Sequence, residues 1–80
     1  MAMQLMTPEI WDSELEQRDC KKVGKLSNGY TVWEILGTDH ECFSAPPPSE
    51  RLPDGRMGYP DWMLDDLIRE VGLPAARKKH

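Results

Sequence analysis

Five of the seven prolines in this chain fall between Pro46 and Pro60. Each one fixes φ, removes a backbone donor and pushes the preceding residue out of the helical region. No helix can cross that stretch, so helical structure is confined to the residues on either side of it. Ala45-Pro46-Pro47-Pro48 is expected to be extended and polyproline II-like. Further on, Leu52-Pro53-Asp54-Gly55-Arg56 places Pro where a type I turn takes it and Gly where a left-handed residue follows. That is the pattern of a short bulged hairpin.

On the N-terminal side, Thr7-Pro8-Glu9-Ile10 reads as a helix start, with Thr capping free N–H groups and Pro at the first helical position. The helix is expected to reach about Arg18. Ile10, Trp11 and Leu15 form its apolar face, while Glu9, Asp12, Glu16 and Asp19 recur at steps of three and four as a carboxylate stripe. On the C-terminal side Pro60 suits another start, and Asp61, Asp65 and Asp66 put negative charge at the favourable end of the dipole. Leu64, Leu67, Ile68 and Val71 line one face, Trp62 and Met63 widen it, and Gly72 stops the helix.

Between the first helix and the prolines, Asn28-Gly29 suits the two central positions of a type I′ turn, where both residues need positive φ. With that turn Ser27 faces Tyr30, Leu26 faces Thr31, Lys25 faces Val32, Gly24 faces Trp33 and Lys22 faces Ile35. Leu26, Trp33 and Ile35 then share the predicted core face, and Val23, Lys25, Tyr30, Val32 and Glu34 share the other. A lone hairpin is marginal in water. Glu41-Cys42-Phe43 is the candidate third strand, reached through Gly37-Thr38-Asp39.

The expected fold is α+β: an N-terminal helix, an antiparallel hairpin with a candidate third strand, a proline-rich loop and a C-terminal helix packed on the sheet. Residues 7–74 form one small domain containing the proline-rich loop 44–60, between a flexible N-terminus at 1–6 and a basic flexible tail at 75–80. A chain of 80 residues buries only about 60% of its unfolded surface, so its stability margin is thin. No apolar run approaches the roughly 20 residues a membrane-spanning helix needs. The opening Met-Ala-Met-Gln-Leu-Met lacks the basic stretch and long apolar core of a secretory signal, and the cytoplasm is the expected location.

Two cysteines are too few for a disulfide framework, and reduced thiols are expected. Cys20, His40 and Cys42 form the only soft-ligand cluster, weak as a zinc site because paired Cys-x-x-Cys or His-x₃-His steps are missing. No cofactor or bound metal is expected. A Cys42 nucleophile with His40 as base lacks an oxyanion donor set and an orienting third residue, and no glycine-rich phosphate loop follows a strand. No catalytic set is present, so an enzyme is not expected.

Residues 1–76 carry 14 acids against 7 bases, whereas Arg77, Lys78 and Lys79 are all basic. Those three, together with Lys21, Lys22 and Lys25 near Tyr30 and Trp33, are the candidate set for a nucleic-acid accessory role. The acidic body argues for a different partner. A 17-residue segment from Ser44 to Pro60 is uncommon in a small domain unless it binds something or is disordered. Its Arg51, Leu52, Arg56, Met57 and Tyr59 are anchoring side chains of the kind interface cores use, where a plain linker favours Gly, Ser and Glu. With Glu9, Asp12 and Glu16 they are the predicted contacts to a larger protein partner. The expected function is that of a small non-catalytic accessory factor or inhibitor, of the kind phages and mobile elements encode.

Residues 45–59, "APPPSERLPDGRMGY", and the acid-starting helix after them resemble the wing and following helix of excisionase or MerR-like DNA-binding proteins. In those families a helix-turn-helix precedes the wing. Here the Asn-Gly hairpin occupies that position, and no DNA-contacting residue carries over.

Overall fold

A computed structural model describes residues 4–37, 39 and 41–75. The element order is β1 (Leu5–Met6), α1 (Pro8–Glu16), β2 (Cys20–Lys25), β3 (Thr31–Ile35), β4 (Cys42–Ala45), β5 (Glu50–Arg51), β6 (Met57–Pro60) and α2 (Asp61–Val71). The strands form two three-stranded antiparallel sheets, ordered β2-β3-β4 and β1-β6-β5. This is, among the described residues, a small α+β fold with two helices. Among the described residues no helix is long and apolar enough to cross a membrane.

The second sheet is the main departure from the sequence reading. Leu5 and Met6, expected to be flexible, pair with Pro60 and Tyr59, and the Asp61 N–H donates to the Gln4 carbonyl. Residues 50–60, placed in the proline-rich loop but with a short bulged hairpin expected at 52–56, supply both other strands, with the hairpin tip at 52–56. A two-residue strand such as β1 carries no periodicity, and its pairing with β6, more than half the chain away, decides it. Gly58 permits that pairing: a Cβ there would lie 2.5 Å from both Leu52 Cδ2 and the Met6 carbonyl oxygen. Glycine lets the backbones approach where no side chain fits.

The first hairpin differs in register. Gly29 has φ of 93°, but Asn28 is not in the left-handed region, so the turn is not type I′. The Gly29 N–H donates to the Leu26 carbonyl and the Leu26 N–H to the Tyr30 carbonyl, which makes a three-residue loop with glycine at the bulge position. Pairing shifts by one, so Lys25 faces Thr31 and Gly24 faces Val32. An irregularity at Val23 shifts it once more, and Lys22 rather than Gly24 faces Trp33. Leu26 is left at the exposed tip while Trp33 and Ile35 are buried. β4 completes this sheet through Trp33↔Phe43 and Thr31↔Ala45.

Helix α1 is capped by Thr7, whose Oγ1 accepts from the Ile10 N–H at 3.1 Å, and Pro8 follows. It ends at Glu16, short of Arg18, because the chain turns through Asp19 at φ 61° into β2. Trp11 and Leu15, four residues apart, are buried, whereas Ile10 is about 100° further round and exposed. Pro60 closes β6 with extended angles and sits at the N-cap of α2 rather than inside it. Gly72 ends α2 in the left-handed conformation, as the sequence reading places it.

One core joins both layers. Trp11 and Leu15 from α1, Trp33 and Ile35 from β3, Tyr59 from β6 and Leu64 and Leu67 from α2 belong to a single buried cluster that Leu73 closes. At its centre the Trp11 and Tyr59 rings stack, with centroids 4.0 Å apart and planes within 6°. Such a pair contributes about 1 kcal/mol beyond its burial. Pro46, Pro47 and Pro48 link the two sheets, with Pro47 lying beside the tip glycine of the first hairpin.

Candidate functional site

The tip of the β5–β6 hairpin is held by one arginine. Arg56 donates through Nη1 to both carboxylate oxygens of Glu9 at 3.1 Å and through Nε to Asp54 Oδ2 at 2.9 Å. Its backbone N–H donates to Asp54 Oδ1 at 3.0 Å. Arg51 Nη1 donates to the Gly55 carbonyl across the same turn at 3.2 Å. Hydrogen bonding by the Arg56 guanidinium holds the Glu9 carboxyl below the usual carboxylate range. Asp54 is held low first by the Arg56 backbone N–H and then by its side chain. Exposed pairs of this sort add little stability, but a network of three fixes geometry. It ties the hairpin tip to α1 across 47 residues of sequence.

Beside this network lies an open apolar groove of 480 Å³ lined by Leu5, Thr7, Leu52, Pro53 and Asp54. Arg51 and Met57, opposite each other in the register, are exposed. The structure therefore leaves Arg51, Arg56 and Met57 exposed and moves the other two predicted anchors inward. Leu52 is buried and lines the groove, and Tyr59 is buried against Trp11. Burial and the nearby Asp12 carboxylate push the Tyr59 phenol up, so it stays neutral. Period-two alternation could not sort these residues, because the strands that bury them are too short.

The carboxylate stripe is not a free ladder. Glu9 is paired with Arg56, and Asp12 accepts from Lys22 Nζ at 2.9 Å. Glu16 is exposed. Lys22 also lies 5.5 Å from the centroid of the Trp33 ring, a cation–π contact that fastens β2 to the core. Of the predicted nucleic-acid set, Lys21 and Lys25 are exposed, and Arg77, Lys78 and Lys79 lie outside the described residues. Trp33, fully buried, offers no stacking platform for a base.

Cys20 and Cys42 lie on the outer strands β2 and β4 with β3 between them, one buried and one exposed. Burial, with Asp19 beside it, pushes the Cys20 thiol up and leaves it a poor nucleophile. Among the described residues no group of three His, Cys, Asp or Glu is placed to hold a metal ion. His40 lies outside the described residues.

Sequence reasoning missed one surface. Trp62, expected to widen the buried face of α2, is 52% exposed. The signal was present: Asp65 and Asp66 follow it at three and four residues, which puts its indole on the polar side of the helix. Compared with known proteins, the chain matches no family model, no curated protein and no solved structure.

Proposed function

We propose that this chain is a small non-catalytic factor that binds a larger protein, as an accessory subunit or inhibitor. The observation that carries the reading is the apolar groove of 480 Å³ beside an arginine network that fixes its rim. Leu5 and Pro53 offer apolar surface, with the buried Leu52 also lining the groove, Arg51 and Met57 flank the hairpin as exposed side chains, and Glu9, Asp54 and Arg56 supply oriented polar groups. A rim already ordered in the free protein loses little conformational entropy on binding. Asp12 and Tyr59 act indirectly, by holding β2 and β6 against α1.

The test is capture from native-host lysate by the intact chain and by an Arg51→Ala/Met57→Ala variant, with circular dichroism to verify folding. A protein retained by the intact chain is expected to be held at least about tenfold more weakly by the variant. Equal capture by the folded variant defeats the reading of this surface. Capture that depends on nucleic acid and fades steeply with salt would replace it with the nucleic-acid role.

A further inference from the structure

Trp62 is the most exposed large apolar side chain among the described residues, while Trp11 and Trp33 are buried. Its indole forms one wall of a second cavity, of 200 Å³, whose other lining among the described residues is Pro46, Met63, Asp66, Leu67 and Glu70. Small-molecule pockets usually span about 300–1,000 Å³. This one is the size of a single long side chain.

The chemistry of the walls is divided. Pro46, Met63 and Leu67 are apolar, and Pro46 belongs to the stiff triplet between the sheets. Trp62, Asp66 and Glu70 follow each other at steps of four along α2, so the indole and both carboxylates share one strip. Asp66 accepts from Arg69 in its own helix, and Glu70 has no ion-pair partner among the described residues. An aromatic face and apolar floor beside acidic oxygens complement a side chain with an aliphatic stem and a cationic head.

We propose that this cavity receives an arginine side chain from a basic segment of a protein partner. The stem lies along Pro46 and Met63, the guanidinium stacks on the Trp62 indole, and its N–H groups reach Asp66 and Glu70. Arginine fits better than lysine because its planar, weakly hydrated head both stacks and donates in a fixed fork. The site rests on the reading of the chain as a protein-binding factor, but shares no residue with the Leu52 groove.

The probe is a fluorescein-labelled decapeptide with three arginines, titrated into the full chain at low salt and compared with the same peptide carrying citrulline in their place. Citrulline keeps the shape and removes the charge. The arginine peptide is expected to bind saturably and to shift the Trp62 indole N–H resonance, with the citrulline peptide at least about tenfold weaker. Trp62→Ala, on an exposed position, and Asp66→Asn/Glu70→Gln, on a half-buried and an exposed one, should each weaken binding by about tenfold. Equal binding of the two peptides, or an unchanged affinity in the folded Asp66→Asn/Glu70→Gln variant, overturns the proposal. So does a Trp62 resonance that moves on deleting residues 77–80 or on raising protein concentration, since the occupant is then this chain's own basic end or a second copy. Peptide binding that persists in Arg51→Ala/Met57→Ala supports this site whether or not that variant still captures the host protein, so the two readings fail separately.

Discussion

The tips of the two hairpins, Leu26-Ser27-Asn28-Gly29-Tyr30 and Leu52-Pro53-Asp54-Gly55-Arg56, share one local plan and meet different fates. In each, the first residue's N–H donates to the last residue's carbonyl at 2.7 Å, and glycine sits near φ 90°. In each, the Asn or Asp side chain accepts from the N–H two residues on, at 3.0 Å. Yet Leu26 is 45% exposed and Leu52 is 6% exposed. Tyr30 reaches solvent, while Arg56 is bound to Glu9 and Asp54. The turn chemistry is local, whereas the anchoring depends on which element lies beneath the tip. Under Leu52 lie Gly58 and the backbone of β1.

The contrast is easiest to break at the strand glycines. Gly58→Ala drives a Cβ to 2.5 Å from the Met6 carbonyl and from Leu52, and overpacking against backbone is expected to destabilise by about 3 kcal/mol. Gly24→Ala, on the first hairpin, meets nothing within 4 Å and should stay within about 0.5 kcal/mol of the parent. Urea denaturation of both variants measures the difference, and similar values would deny that the second tip is packed more tightly. Next comes the leucine pair. Leu52→Ala should lose about 2 kcal/mol, at the low end for a buried leucine because its site opens to a groove, and Leu26→Ala under about 0.5 kcal/mol.

The smallest effect sharpens the comparison through pH. Glu9 and Asp54 have folded-state values held below their ordinary ones by Arg56. Their contribution is therefore full at neutral pH, starts to fade near the ordinary carboxylate value of about 4, and is lost as pH falls through the lowered values. Arg56→Gln should lower the urea midpoint slightly above about pH 6, where the contribution is full, and converge on the parent as pH falls, so that the acid slope of the profile flattens. An identical acid slope in the variant would mean that the network does not persist in solution.

The helix starts were legible because a cap, a proline and an acidic first turn act within a few residues of each other. The apolar positions Trp11, Leu15, Leu64 and Leu67 were legible for the same reason, through their spacing. The first turn was misassigned because Asn-Gly suits both a two-residue and a three-residue loop, and one residue of slip sends Leu26 outward. Of the candidate contacts, Arg51, Arg56 and Met57 reach the surface, whereas Leu52 and Tyr59 do not. Nothing near Tyr59 in sequence announces Trp11, 48 positions earlier, as its stacking partner.

Sequence by itself determined where helices can begin and that Gly72 ends the second, that residues 46–60 are not helical, and that glycine ends both turns. Those outcomes follow from steric limits on single residues and from hydrogen bonds closed within a turn. Tertiary structure alone decided that Leu5 and Met6 become a strand, that Leu52 is buried and Leu26 is not, and that Trp62 faces outward beside Pro46. Each of these depends on contacts between segments far apart in the chain, and only the assembled core sets which of them form.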